Sequence, residues 1–243
     1  MKRKRTLALG FSAAVLALAL AACGDPVCGG GNAGSVGPSF FGPTLRISAQ
    51  VYEESAEWAG MYPTVTHAPY AGDMTVSCRL GGSGEIAGGW LDFEIGEPSE
   101  TWSAQTSFEG LGQPMGPHAN FRISDPGARV ARILWLEGSS PIQRGLRDAN
   151  VAYSVDFVFA DRDFTVTGRG RTFYAGPNCG GGGPSMRITV PNLNLSFRAG
   201  WNAMHQRVEL GYSDGMYTEV RATAMGDPEH MKWTVPAPFE QDR

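Results

Sequence analysis

The sequence predicts an all-β protein built as an antiparallel β-sandwich of the jelly-roll or immunoglobulin-like type. Segments in which apolar and polar residues alternate recur along the chain, as expected for strands with one buried face. The 33 glycines and 16 prolines interrupt the chain too often for long helices. Many short strands separated by turn residues are typical of sandwiches and barrels. We favour the sandwich, because the strand faces are too interrupted to form the lipid-facing bands of a membrane barrel.

Two hairpins are predicted from the strand pattern. One joins 150–160 to 164–174 through the polar turn Asp161-Arg162-Asp163. The other joins 208–212 to 216–225 through Ser213-Asp214-Gly215, because Asp-Gly between alternating segments is the strongest short-range hairpin signal. A single stretch, 52–60, has weak helical character. The other predicted strands are 44–52, 73–80, 86–95, 101–108, 129–137 and 193–197.

Residues 1–22 have the form of a secretory signal. Four basic residues follow Met1, and an apolar run rich in Ala and Leu extends from Leu7 to Ala22. That run is short for a spanning helix, which needs roughly 20 apolar residues. No later stretch is comparable, so we expect the mature chain to lack a transmembrane helix.

The end of this signal, Leu20-Ala21-Ala22-Cys23, resembles the lipobox of bacterial lipoproteins. The resemblance implies that the Cys23 thiol receives a diacylglyceryl group, that cleavage precedes Cys23, and that the new amine is acylated. Two or three acyl chains hold a protein to a membrane far more firmly than one. Gly24, rather than Asp, follows Cys23, which in that family's sorting rules favours the outer membrane. The resemblance covers the signal only and implies a cell-envelope protein anchored through Cys23.

The chain divides into a signal peptide (1–22), an acylated cysteine with a Gly-rich tether (23–41), one sandwich domain (42–236) and a C-terminal tail (237–243). The tether composition buries too little apolar surface to fold by itself. The signal contains four of the 20 basic residues and none of the 24 acidic ones, so the mature chain has a formal charge of −8. This balance argues against nucleic acid as a partner and leaves the acyl chains to hold the membrane.

Three cysteines remain once Cys23 is acylated, and an exported protein can pair two of them. Cys28 and Cys179 lie in similar Gly-rich settings, whereas Cys78 lies on the apolar face of the predicted strand 73–80. A cysteine on an apolar face behaves as a small buried hydrophobe. We therefore favour a Cys28–Cys179 disulfide with Cys78 free in the core, and the alternative is Cys78–Cys179.

Two patterns suggest hydrolytic chemistry. Ser213 lies in Gly-x-Ser-x-Gly, the nucleophile motif of serine hydrolases, which requires a strand, a turn and a helix. The residues after Ser213 alternate as in a strand, so a hairpin turn is the favoured interpretation. Asp92 and Glu94 point the same way from one strand and could serve a carbohydrate-active enzyme, although exposed strands often carry such pairs.

Metal and aromatic sites are weakly indicated. Asp161 and Asp163 could bind calcium, but a full calcium loop has more acids at fixed spacing, so we expect no metal and no cofactor. Most of the six tryptophans are expected in the core. Trp58 and Tyr62, near Tyr70, could form an aromatic cluster that stacks on a sugar or docks a partner. The alternative for this cluster is a loop that caps the sandwich.

These patterns together predict a non-enzymatic binding or structural module of the cell envelope. Its membrane contact is the acyl group on Cys23, and its expected partner is an envelope protein or a glycan. The alternative is an envelope hydrolase, either serine-type through Ser213 or carbohydrate-active through the Asp92 and Glu94 pair.

Overall fold

The structure, a computed structural model, describes residues 38–58, 63–98, 119–148, 150–175, 186–213 and 215–236. Every regular element within these residues is a strand, which confirms the all-β prediction. In this part of the chain no helix is long and apolar enough to cross a membrane. The signal peptide, most of the tether, the C-terminal tail and the predicted strand 101–108 lie outside the described residues.

The strands are, in chain order, β1 (Phe40–Gly42), β2 (Leu45–Trp58), β3 (Pro63–Pro69), β4 (Met74–Ser77), β5 (Ser83–Ala87), β6 (Trp90–Ile95), β7 (Ala119–Ile123), β8 (Val130–Ile133), β9 (Gln143–Asp148), β10 (Val151–Ala160), β11 (Phe164–Arg169), β12 (Arg171–Ala175), β13 (Met186–Val190), β14 (Leu193–Phe197), β15 (Gly200–Ser213), β16 (Met216–Met225) and β17 (Lys232–Pro236).

Fourteen of these strands form one sheet with the order β12-β13-β16-β15-β10-β9-β17-β2-β6-β5-β4. β1 pairs with β15, β3 with β2, and β8 with β10, while a separate sheet has the order β14-β11-β7. The described pairings are antiparallel except β13 with β16 and β17 with β2, which are parallel. The sandwich is therefore mixed, with a mainly antiparallel sheet.

The large sheet turns back on itself at β2, which belongs to two layers. Residues Leu45 to Gln50 pair with β6, and residues Val51 to Glu54 pair with β17. The first half of β2 with β6, β5 and β4 is called the front layer. The strands β8, β9, β10, β15, β16 and β17 form the central layer, and β14, β11 and β7 form the rear layer.

Two apolar cores separate these three layers. The first core joins the inner face of the front layer to the central layer, and its largest buried side chains include Leu45, Phe93 and Trp201. The second core joins the other face of the central layer to the rear layer, and includes Val158 and Leu195. Burial of this area is the dominant stabilising contribution to the fold.

The strand β10 is buried on both faces from Ser154 to Ala160. Val155, Phe157 and Phe159 belong to the first core, and Val158 and Ala160 belong to the second. In the sequence, Val155, Phe157 and Phe159 alternate with Ser154, Asp156 and Val158. Its central position explains why that alternation is incomplete.

The predicted hairpin of 150–160 with 164–174 is wrong. β10 pairs with β8, β9 and β15, whereas β11 pairs with β14 and β7 in the rear layer. Asp161 accepts hydrogen bonds from Arg129 N at 2.8 Å and Arg129 Nε at 3.2 Å, and Asp163 accepts one from Ala199 N at 2.8 Å. Both aspartates are thus bound to other segments of the chain. Between β10 and β11 the chain passes from the central layer to the rear layer and does not form a hairpin.

Other local predictions had mixed outcomes. The Asp-Gly hairpin is confirmed, because Ser213 pairs with Met216 in register. The stretch 52–60 is not helical, since β2 continues to Trp58. The predicted strand 86–95 is two strands, because Gly88 and Gly89 adopt φ of 56° and 78° and turn β5 back into β6. Positive φ at two adjacent residues is the requirement of a tight hairpin turn.

The packing of Phe157 yields a test of the central layer. Its ring stacks on Trp233 at 5.8 Å and meets the edge of Phe41 at 5.8 Å. Phe157→Ala leaves a cavity between the two layers, and we expect it to lower the free energy of unfolding by about 3–5 kcal/mol. Urea unfolding measures this loss, with Tyr174→Ala as the exposed control. A loss below about 1 kcal/mol would contradict this account of the core.

Candidate functional site

The outer face of the front layer is a continuous exposed surface. It forms because successive residues in each of the four strands point alternately into the core and into solvent. Inward residues such as Leu91 and Phe93 are buried, and their outward neighbours are exposed. We call this surface the Trp90 face. Its residues are Arg46, Ser48, Gln50, Thr75, Ser77, Ser83, Glu85, Ala87, Trp90, Asp92 and Glu94.

Among these eleven residues, Trp90 is the only one with a large apolar side chain. Its side chain is exposed to 51%, although its Nε1 donates a hydrogen bond to Ser48 Oγ at 3.0 Å. Its cross-strand neighbours are Gln50 and Ala87. Because Ala87 is small and the indole N–H is already bonded, the ring surface is what the protein offers to the outside.

The carboxylates on the Trp90 face differ in their partners. Glu94 forms an ion pair with Arg46, with 2.7 Å between Nε and Oε2. Asp92 lies directly opposite Glu85 across β5 and β6. Within the described part of the chain, neither Asp92 nor Glu85 has an ion pair or a hydrogen bond from a side chain. Like charges directly opposite each other destabilise a sheet.

The two carboxylates of the predicted acid pair, Asp92 and Glu94, therefore differ in whether they have an ion-pair partner. Asp92 and Glu94 do point the same way, as the alternation indicated, but Arg46 neutralises Glu94. Most tryptophans were expected in the core, and the exposure of Trp90 was not predicted. A usable signal existed, because Trp90 has the parity of Asp92 and Glu94 in the strand, not that of Leu91. Trp201 and Trp233 are buried as expected.

Comparison with family models, with curated proteins and with solved structures found no match.

A cavity of about 200 Å³ lies on the central layer, over β16. Tyr153, His205 and Arg207 form its walls, and Ala222 and Ala224 leave room at its floor. It is smaller than the ~300–1,000 Å³ typical of ligand pockets. Arg207, its cation, already forms an ion pair with Glu209. The cavity thus offers a ligand less than the Trp90 face does.

On the opposite face of the central layer, Asp156 is buried to 2% exposure in a polar cluster. Arg132 donates to Asp156 Oδ2 from Nε at 3.1 Å and from Nη2 at 2.6 Å, and Gln206 donates to the same oxygen. Burial raises the pKa of Asp156 above its ordinary value, and the charge and hydrogen bonds of Arg132 with the bond from Gln206 oppose this rise.

Ser213 lies at the end of the hairpin of β15 and β16, where the nucleophile motif would need a helix. Its Oγ accepts a hydrogen bond from Arg187 Nη2 at 3.3 Å. His205, on the same strand, is eight residues away, which corresponds to roughly 26 Å. The arrangement gives Ser213 no base within hydrogen-bonding reach on its own strand.

Asp161 and Asp163, the weak calcium candidates, bind different parts of the fold, as described above. Asp161 also forms an ion pair with Arg162 at 3.1 Å. The described residues contain no group of three or more His, Cys, Asp or Glu side chains placed to hold a metal ion.

The predicted aromatic cluster is divided as well. The backbone of Trp58 ends β2 opposite Pro63, and Tyr62 lies outside the described residues. Tyr70 is half-buried against the first core, and its N–H donates to Val51 O at 3.0 Å. Of the cluster, the structure therefore describes one ring, and it serves packing.

Cys78 is free and buried among the apolar residues of β4 and its neighbours. Burial raises the pKa of its thiol, which keeps it protonated and unreactive at neutral pH. Cys23, Cys28 and Cys179 lie outside the described residues, so the acylation and the preferred disulfide stay predictions.

The raised pKa of Asp156 gives a pH-dependence test. A carboxyl group with a higher pKa in the folded than in the unfolded state holds its proton more tightly when folded. The wild type therefore loses free energy of unfolding as the pH rises from the unfolded value of about 4 through the folded value. Asp156→Asn lacks this titration. We expect the wild-type value minus the variant value, from urea unfolding, to fall as the pH rises above about 4.

The opposite pH dependence of this stability difference would contradict the prediction. If the wild type gains stability over Asp156→Asn as the pH rises, then Arg132 outweighs the desolvation of the carboxylate. Asp125→Asn is the matched control, because that carboxyl is more exposed and its ion pair with Arg162 is long, at 3.6 Å.

Proposed function

We propose that this chain is a lipid-anchored lipoprotein of the bacterial cell envelope whose β-sandwich is a non-enzymatic binding module. The lipobox at Leu20 to Cys23 supports the anchor, and Gly24 after the cysteine favours the outer membrane. The acyl chains would carry membrane attachment alone, because the mature chain is acidic.

The Trp90 face is the observation that carries the binding function. A half-exposed tryptophan on an otherwise polar sheet contributes little to the core, yet tryptophan is the residue most enriched at binding hot spots. Beside it, the carboxylates of Glu85 and Asp92 repel one another, and within the described residues neither forms an ion pair with a lysine or arginine. A surface that retains an exposed ring and an unfavourable charge pair is suited to a contact outside the domain.

The hydrolase alternative has less support from the geometry. Ser213 ends a hairpin strand, and Glu94 of the acid pair is held by Arg46. An exposed pair on the outer face of a sheet also lacks the exclusion of water that a catalytic site provides. Binding without turnover is therefore the function we propose.

The anchor is tested by one substitution. Cys23→Ser removes the only thiol at the lipobox, so we expect no incorporation of labelled palmitate and loss of the protein from the membrane fraction. Cys28→Ser, five residues away, is the matched control and should keep both. Label retained in Cys23→Ser, or lost in Cys28→Ser alone, would show that the lipid is placed elsewhere.

The binding function is tested by crosslinking the acylated protein in its native membrane. We expect a discrete envelope partner to be captured by the wild type and reduced at least about threefold in Trp90→Ala, since loss of a surface ring costs roughly 1 kcal/mol. Tyr174→Ala is the matched control, because Tyr174 is exposed to 65% on β12, at the opposite end of the strand order from β4. Equal capture by all three proteins, or none, would refute the Trp90 face as a binding surface.

A further inference from the structure

We propose that the Trp90 face binds a lysine or arginine side chain from a basic segment of a partner protein. The inference rests on the proposed binding function and names the chemistry of its ligand. The cation would lie over the indole ring of Trp90 and beside the carboxylates of Glu85 and Asp92.

The state of the Trp90 side chain selects ligands that recognise a ring surface. Its Nε1 is bonded to Ser48 Oγ, so a ligand that needs an indole donor finds none free. Two kinds of group bind such a surface: the C–H face of a sugar and a cation. The fold already uses the second contact nearby, where Lys232 Nζ lies 4.6 Å from the ring centroid of Tyr52 on β2.

The carboxylates decide between these two ligands. Glu85 and Asp92 face each other, with Cβ atoms about 5 Å apart, and each repels the other. A cation between them removes that repulsion, whereas sugar hydroxyls bind the carboxylates and leave their charges uncompensated. Charge complementarity therefore favours a cation.

The surrounding charges include one lysine, Lys232, which already lies over the ring of Tyr52, and the others support the same choice. Asp73 Oδ1 accepts a hydrogen bond from Gly88 N in the turn that precedes Trp90, which adds a third carboxylate at this end of the face. Arg46, at the other end, is bound to Glu94. Arg79 follows β4 four residues beyond Thr75, which lies opposite Glu85, and this spacing corresponds to roughly 13 Å.

The shape of the face favours a side chain of a protein over a metal ion or a small free amine. Calcium takes 6–8 oxygen ligands, and a tryptophan ring supplies none. Small ligands bind in concave pockets that cover most of their surface, whereas Ala87, Trp90 and Asp92 are exposed on a flat sheet. A partner segment can hold its cation in place through contacts along the rest of the face.

The test uses the full mature, acylated chain in nanodiscs of zwitterionic lipid, with empty nanodiscs as the blank. The probe is a short fluorescein-labelled peptide in which lysine alternates with serine, and its control is the same peptide with every lysine acetylated. Fluorescence anisotropy measures both. We expect the charged peptide to bind and the acetylated peptide not to bind.

Substitutions assign the binding to the two parts of the site. Trp90→Ala should weaken binding about two- to fivefold, as expected for an exposed cation–π contact, while Tyr174→Ala, on β12, leaves it unchanged. The double variant Glu85→Gln with Asp92→Asn should weaken binding and reduce its dependence on salt, because exposed charges are screened within ~10 Å at 0.1 M salt. Glu229→Gln, at an exposed carboxylate outside the Trp90 face, is the control for this variant.

Three results would overturn the inference. They are equal binding of the acetylated peptide, equal binding by Trp90→Ala, and Trp90-dependent binding of neutral oligosaccharides in place of the peptide. If the peptide fails to bind while the crosslinked partner still depends on Trp90, the cationic ligand is wrong and the binding function stands. If the crosslink also fails, both are wrong.

Discussion

The burial of β10 on both faces is the constraint on which the rest of the fold depends. Its odd-numbered residues, such as Phe157, need one apolar layer, and its even-numbered ones, such as Val158, need another. A single two-layer sandwich covers one face of each sheet, so a third layer is required. The layer on the side of Phe157 is the front layer, which β2 joins to the central layer. The layer on the side of Val158 is the rear layer, which β11 enters after the chain crosses at Asp161.

One buried carboxyl group, that of Asp156, constrains the register of β10 against its two neighbouring strands. Asp156 lies in β10 with Arg132 on one neighbouring strand and Gln206 on the other, and both donate to its Oδ2. A shift of β10 by one residue would move this carboxylate into the apolar first core and leave Arg132 without a partner. The cluster stabilises the correct register chiefly by making the alternatives costly, even though burial of the charge is itself unfavourable.

The sequence predicted the features that depend on local alternation. It did not predict the pairing of β10, which is covered by a different layer on each face. The alternation of Met74, Val76 and Cys78 and the Asp-Gly hairpin were both readable, since strand period and turn chemistry are local properties. The pairing of β10 was not readable, because Asp161 binds Arg129, 32 residues earlier in the chain. At the site, the parity of Asp92 and Glu94 was predicted, but the neutralisation by Arg46 and the opposition of Glu85 arise from register across strands.

The outer faces of the front and rear layers are where this architecture leaves side chains free of packing. The central layer has an apolar core on each side, so most of its side chains are committed to packing, whereas the front and rear layers each contribute one face to a core. The front layer needs its inward residues alone for stability. Trp90 belongs to neither core, so packing of the cores does not require an aromatic ring at this outward position of β6. The exposed indole beside Glu85 and Asp92 is the feature that the proposed binding function accounts for.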